Sequence, residues 1–255
     1  MIDLNVKDGI AEIVLNAPRK LNALNEADLT QLSQAYDHAA FPGVRALLLR
    51  GEGRVFCAGR DISGVDPAND DAYAYLGERL TPLMQKMAGF PAPTFAAAHG
   101  ACLGAGLGLL VATDVVYVAG NAKIGSPFAN LGATLDSGGH WLFTERLGAH
   151  RALDLIYTGD LMSGAEAVAA GLFSRTFPAD ALLKQTREIV ARVALGSIGA
   201  MRVSKALVAE IRDSRIGLWT AMEEESRAQG VLSGTRDYAE GFSAFIEKRK
   251  PLFQG

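Results

Sequence analysis

The chain has 255 residues, 49% of them hydrophobic, and a formal net charge of −3, enough for one large domain or a domain with a small appendage around a sizeable core. No basic run offsets the acidic balance, which argues against nucleic acid as a partner, and no apolar run reaches the roughly 18 residues of a membrane span. The 2 cysteines lie in apolar segments, as reduced buried thiols do, and the start lacks the basic-then-apolar order of a signal peptide, so a cytoplasmic protein is expected.

In chain order, residues 2–6 and 10–15 read as short strands around the turn Lys7-Asp8-Gly9. Residues 26–40 read as a helix, with Leu29, Leu32, Tyr36, Ala39 and Ala40 on one face and Asn25 as its cap. Residues 44–49 form the next strand. The strand end Arg54-Val55-Phe56-Cys57 runs into a tight turn at Ala58-Gly59, where Asp61 is placed to cap a following helix. Residues 64–72, rich in Asp, Asn, Pro and Gly, read as a loop. Tyr73 and Tyr75 behind it suit the wall of a pocket or an ordinary core or surface role. Residues 94–98 and 115–118 are further strands, and Ser163-Gly164-Ala165-Glu166 is a capping box. Beyond Ala179 apolar residues recur at helical spacing throughout. Strands alternating with helices, then helices alone, predict an α/β core with a C-terminal helical layer.

The chemistry-bearing feature lies between two of these strands. The segment Ala97-Ala98-His99-Gly100 predicts a buried strand that breaks and enters a helix bearing Gly104, Gly106 and Gly108. Each glycine costs a helix about 1 kcal/mol against alanine, so together they cost on the order of 2–3 kcal/mol. Bare backbone at a helix start allows close packing or close approach of a ligand, and the unpaired N–H groups there suit an oxyanion. The Ala58-Gly59 turn offers a second such donor. Other motifs fail: the glycine run continues to Leu109 where a dinucleotide fingerprint needs glycine, and no Walker A, Gly-x-Ser-x-Gly or His-Glu-x-x-His sequence occurs. Four histidines are scattered without metal-site spacing. His99 reads as a satisfied core histidine, and Asp114 as the end of its helix or a partner for backbone.

Ala58-Gly59-Arg60-Asp61 followed by Gly104-Ala105-Gly106 through Asp114 resembles the two signature segments of the crotonase (enoyl-CoA hydratase/isomerase) superfamily. The likeness extends to Asn16-Ala17-Pro18-Arg19-Lys20-Leu21-Asn22-Ala23-Leu24 and to Ala244-Phe245-Ile246-Glu247-Lys248-Arg249. It implies a spiral of strand-strand-helix turns over residues 1–195 and a helical trimerisation region over 196–255, in a homotrimer or dimer of trimers. It implies an acyl-CoA thioester as substrate, with coenzyme A part of that substrate and neither a separate cofactor nor a metal. The backbone N–H groups of Arg60 and Ala105 would form the oxyanion hole, and the Arg60 side chain would reach a phosphate or fold outward. Lys20, Leu21, Ala23, Ala58, Asp61 and Ile62 would cradle adenine and pantetheine, and Lys248, with Lys250 beside it, would meet the ribose phosphate. A solvated basic tail is the other reading of those last residues.

The acid and base decide the reaction. Hydration of a double bond is served by two carboxylates, which in the family's hydratases precede the closing Asp by six residues and follow the next proline turn. Here these positions are Gly108 and Phe128, neither of which moves a proton. Asp136 remains, in a segment resembling the isomerase of aerobic phenylacetate catabolism. One carboxylate suffices to take a proton from one carbon and return it two carbons away. Leu131, Leu135 and Trp141 would raise its proton affinity, while a helix-capping role would hold it charged. Three readings follow: a single-carboxylate enoyl-CoA isomerase, an atypical hydratase, and a non-catalytic acyl-CoA-binding protein.

Overall fold

The computed structural model describes residues 1–63, 65, 71–128, 133–215, 217, 227 and 229–254. β1 (Ile2–Lys7) and β2 (Ile10–Leu15) make an antiparallel hairpin with Lys7 opposite Ile10. The first sheet then adds parallel strands β3 (Ala46–Gly51), β4 (Thr94–Ala98), β6 (Val115–Ala119) and β9 (Arg175–Phe177), in the order β1-β2-β3-β4-β6-β9. A second, three-stranded sheet pairs β5 (Ala101–Leu103), β7 (Lys123–Gly125) and β8 (Met162–Ser163). Two single bridges, Leu24 with Arg60 and Cys57 with Cys102, continue that second layer beyond its named strands.

The chain is therefore a spiral. Each turn lays a strand in the first sheet, crosses to the second layer, and returns through a helix. β2 leads to Leu24 and then α1 (Glu26–Ala39); β3 leads to the 56–60 segment and then a π-helical stretch, Ala74–Leu80, that runs into α2 (Thr81–Ala88). β4 leads to β5 and α3 (Ala105–Val111), and β6 leads to β7. Parallel strands covered on both faces read as continuous apolar runs, and Leu47, Leu48 and Leu49 of β3 are all 0% exposed. α4 (Gly139–Leu147), α5 (Ala149–Thr158) and α6 (Gly164–Ala169) follow, then α7 (Leu182–Ala194), which packs on β3 and β4. α8 (Ile198–Ser214) is tied to the core through Arg45, which donates to the Ala194 and Gly196 carbonyls, and through Lys205, bonded to Phe90 O and Asp114. α9 (Arg236–Ile246) is the last helix described.

Local sequence explains most boundaries. Asn25 and Asp28 exchange side-chain and backbone bonds of 3.0 and 3.1 Å in a capping box that starts α1. Ser163 and Glu166 do the same for α6. α1 stops at Ala39, leaving Ala40 exposed outside the apolar face, and Val44 belongs to a turn closed on Phe41 O rather than to β3. The predicted passage from β4 straight into a helix is interrupted: β5 intervenes, because the spiral needs a strand in the second layer first. Asp61 caps no helix among the described residues. It accepts from the Ser63 N–H and hydroxyl and from Lys20, and the next helical stretch described starts beyond Asp71, whose Oδ1 accepts the Ala74 N–H. The 64–72 loop falls largely outside the described residues.

The first two turns meet at Asn22, only 1% exposed. Its Oδ1 accepts the Ala17 N–H at 2.8 Å, and its Nδ2 donates to the carbonyls of Glu52 and Val55 at 2.9 Å and of Phe56 at 3.1 Å. Leaving several buried backbone groups unpaired costs about 1–3 kcal/mol each. Asn22→Ala is therefore expected to lose about 3–5 kcal/mol, lowering Tm by roughly 6–15 °C. Thermal unfolding checks this, and a Tm within 2 °C of wild type (roughly 1 kcal/mol for a chain of this size) contradicts it.

Candidate active site

Two turns of the spiral bring backbone donors together. In the second layer, Leu24 N–H bonds Gly59 O at 2.8 Å and Asp61 N–H bonds Leu24 O at 2.9 Å. Because strand N–H groups alternate in direction, that of Arg60 points the other way, toward the β5–α3 turn. Gly59, at φ +101°, lies against that turn: a Cβ there would stand 3.0 Å from Leu103 O and 3.7 Å from Ala105 N. Gly104 starts α3 at φ 51° and ψ −121°, a conformation closed to other residues, with its own N–H bonded to Gly125 O and Ser126 Oγ. The N–H groups of Ala105, Gly106 and Leu107 precede the first helical bond, which runs from the Gly108 N–H to Gly104 O at 3.1 Å, and have no acceptor inside the helix. The glycines of α3 are explained by packing as well, since a Cβ on Gly106 would lie 2.6 Å from Cys57 O.

Asp136 is docked onto the same helix. Its turn places Ser137 over Gly108, one turn beyond Ala105, where a Cβ would meet Ser137 Cβ at 2.6 Å. Any side chain at 108 would thus collide with the turn that carries the carboxylate. Phe128 covers the other end, its ring 3.0 Å from where a Gly104 Cβ would be. α4 begins at Gly138 with no side-chain cap, so the capping reading of Asp136 is set aside. Its Oδ1 accepts the Ser137 hydroxyl at 2.7 Å. Burial pushes its carboxyl above the usual range, against the opposing pull of Ser137, His140 and Arg60. Leu135 is buried beside it, packed on Gly139. Trp141, 39% exposed, instead faces the Arg212 guanidinium and does not line the acid; Leu131 lies outside the described residues.

Beside the first turn is a cavity of about 350 Å³ lined by Lys20, Asn25, Glu26, Arg60, Asp61, Ser63, Val65 and Tyr75. Lys20 Nζ pairs with Asp61 at 2.9 Å; Ser63 and Lys20 hold the Asp61 carboxyl down to about 2. Leu21 is left-handed at φ 53°, and its carbonyl accepts the Ala58 N–H, so the Lys20–Ala23 and Ala58–Ile62 stretches form one edge. Ala23 N–H bonds Lys20 O within that edge, and Ile62 is 62% exposed there. The Arg60 guanidinium sits 4.4 Å above the Tyr75 ring, and the residue lines this cavity. Tyr75 is buried and donates its hydroxyl to Leu24 O at 2.9 Å, while Tyr73 is exposed. Lys248 stands in a turn after α9, away from this cavity, with its neighbour Arg249 paired to Glu240 and Glu247.

A larger cavity, about 610 Å³, opens between α8 and the α3–α4 layer, around the Asp114–Lys205 pair and Trp141. Its lining includes none of Arg60, Ala105 and Asp136; the smaller cavity is lined by Arg60 but by neither Ala105 nor Asp136. Asp114 has the structural role expected of it, accepting the Thr94 N–H at 2.8 Å. His99 bonds Gly53 O, and Cys57 and Cys102 are free, buried thiols, the former pushed up to about 12 by burial. Ser137 and the Arg60–Tyr75 contact were not read from the sequence; a glycine at 108, seen as a mark of close approach, was the available signal for the first.

Residues 5–255 match the family model described as enoyl-CoA hydratase/isomerase. A protein of Rhodobacter capsulatus named "Probable enoyl-CoA hydratase" is 34% identical over 255 residues, covering 100% of this chain and 98% of its own. The 1,2-epoxyphenylacetyl-CoA isomerase of Escherichia coli is 30% identical over 256 residues, covering 98% and 97%. The crystal structure of an enoyl-CoA hydratase from Bacillus anthracis superposes with a TM-score of 0.90 at 29% identity, covering 100% and 99%.

The raised Asp136 carboxyl has a thermodynamic consequence. The folded chain binds its proton more tightly than the unfolded chain, so stability from this group is full below the unfolded value and is lost as pH rises through the folded one. At neutral pH the ionised side chain therefore weakens the fold. Asp136→Asn is expected to melt at the same temperature or higher at pH 7, by calorimetry; a clear drop there would mean the carboxylate is structural.

Proposed function

We propose that this chain, which belongs to the enoyl-CoA hydratase/isomerase family, is an isomerase that moves the double bond of an enoyl-CoA thioester with a single carboxylate. The observation that carries the reading is Asp136: half-buried, uncapped, raised in proton affinity, and seated by Ser137 on the helix that starts with Ala105. The place of one hydratase glutamate is Gly108, whose side-chain space Ser137 fills; the other is the apolar Phe128.

In this reading the N–H groups of Arg60 and Ala105 receive the thioester oxygen. Losing one such donor typically costs about 3–4 kcal/mol of transition-state stabilisation. Asp136 takes the proton from the α-carbon of a 3-enoyl-CoA, the electron pair passes through the dienolate, and the same proton returns at the γ-carbon. The product is the conjugated 2-enoyl-CoA, of unchanged mass. A carboxyl with raised affinity suits a group that must both accept and return a proton. The edge formed by Lys20, Leu21, Ala23, Ala58, Asp61 and Ile62 would hold the coenzyme A portion, with Lys248 contributing only from another copy of the chain. Self-association through residues 196–255, and a cytoplasmic setting, belong to the same proposal. Among named relatives the epoxyphenylacetyl-CoA isomerase of Escherichia coli represents the branch this reading favours. The names of other relatives favour the second reading, a hydratase.

The test is incubation with a 3-enoyl-CoA and, separately, a 2-enoyl-CoA, with products read by mass and chromatography. Isomerisation of the first without a water adduct of the second is expected, and Asp136→Asn should lower kcat by about 10²–10⁴-fold while a CoA ester still binds. A water adduct would instead assign hydratase activity. Binding with no turnover of either ester would leave a binding protein.

A further inference from the structure

The turn that carries Asp136 is built at a cost. Asp136-Ser137-Gly138-Gly139 closes through the Gly139 N–H, which donates to Asp136 O at 2.8 Å, with Ser137 at φ 54° and Gly138 at φ 80°. Left-handed backbone at both central residues marks a type I′ turn, whose first central position favours asparagine, aspartate or glycine. A serine there is strained, and glycine would close the same turn without strain. Serine therefore supplies something besides chain direction. Its Oγ donates to Asp136 Oδ1 at 2.7 Å, whereas Oδ2 has no hydrogen-bond partner among the described residues. The serine itself is held: its Cβ and carbonyl oxygen would lie 2.6 and 3.0 Å from a Cβ on Gly108, with Met84 Sδ of α2 3.2 Å from the same point. Gly138 lies against Val111 of α3, and Gly139 against the buried Leu135. Two helices thus fix the hydroxyl, and the hydroxyl fixes the carboxylate.

We propose that Ser137 is a positioning residue for the double-bond shift: its hydroxyl, held over Gly108, fixes Asp136 through Oδ1 and leaves Oδ2 to take up and return the proton. This role rests on the isomerase reading. At the α-carbon a C–H bond breaks and an O–H bond forms on Oδ2. At the γ-carbon that O–H bond breaks and a C–H bond forms, while Ser137 keeps its own proton throughout. Both transfers need the acid in one place, and a carboxylate free to turn about its Cβ–Cγ bond would meet neither carbon reliably. The hydroxyl also donates more strongly to the ionised carboxylate than to the neutral acid. It thereby offsets part of the burial that favours the neutral form. The other titratable groups facing Asp136 are His140 on α4, Arg60 on the strand beside Leu24, and Tyr75 on the π-helical stretch before α2.

The experiment compares Ser137→Ala with Ser137→Gly, both of which remove the hydroxyl while only glycine suits the left-handed turn. The Asp136 carboxyl is followed by ¹³C NMR titration of protein labelled at aspartate carboxyls, its resonance assigned by loss in Asp136→Asn. In both variants the Asp136 midpoint is expected to move to higher pH, and the acidic limb of kcat/KM for the double-bond shift to move with it. At neutral pH kcat should fall about tenfold in each, with KM changing little. Ser137→Gly should melt above Ser137→Ala and yet be equally slow. Activity that instead follows melting temperature, or an unmoved midpoint, or an unchanged kcat, overturns the proposal and marks a merely structural serine. Should the alanine variant not fold, the glycine variant alone decides by midpoint and kcat. A wild-type protein that shifts no double bond sinks the isomerase reading, and this role with it; an active wild type with an unmoved midpoint in the variants sinks this role alone.

Discussion

One buried amide joins the turns on which the site is built. Asn22 satisfies a backbone N–H from the first crossing and three carbonyls from the end of β3 and the strand after it. Its own carbonyl accepts the Cys57 thiol at 3.1 Å. An amide offers both donors and an acceptor, so one side chain can close irregular backbone that no ladder pairs. This is where the chain leaves the first sheet for the second layer. With the Glu52–Phe56 carbonyls fixed, the strand from Phe56 to Arg60 is held against Leu24 on one side and β5 on the other.

That fixed strand makes the glycines intelligible. The Gly59 turn and the start of α3 approach so closely that Cβ atoms at 59 and 106 would press on Leu103 O and Cys57 O. The helical cost of the glycines is thus offset by the approach of two donor-bearing turns. The same helix receives the Asp136 turn at Gly108, so a short element carries unpaired backbone N–H groups at its start and the seat of the Asp136 turn one turn on. The crotonase fold shared with the structural relatives supplies this frame.

Asp136 also shows how burial and partners divide the work. Desolvation raises its affinity for a proton, and the Ser137 hydroxyl, His140 and Arg60 oppose it. Asp61, next to Arg60, is the opposite case: hydrogen bonds from Ser63 and Lys20 hold its carboxyl well down. The two aspartates thus differ in proton affinity because those bonds outweigh burial at Asp61, whereas desolvation outweighs the partners at Asp136.

Strands β1, β2, β3, β4 and β6, the α1 and α6 caps and the glycine-marked turns were legible in the sequence, because each is set by residues near in the chain: Asn25 with Asp28, Ser163 with Glu166, glycines at positive φ. Asp136 was legible as a candidate through the resemblance, but its capping and catalytic readings could not be separated there. The tertiary structure sets aside only the capping one, since whether a carboxylate caps depends on where the following N–H groups point, and α4 starts from Gly138 without it. Asp61 was misassigned to a helix cap for the same reason: Lys20, 41 residues earlier, comes to it only through the spiral. The strand β5, the seat of Ser137 on Gly108 and the Arg60–Tyr75–Leu24 loop likewise join segments distant in sequence. Local propensity fixes elements and caps; electrostatic environment and steric fit are sums over neighbours that only the folded chain assembles.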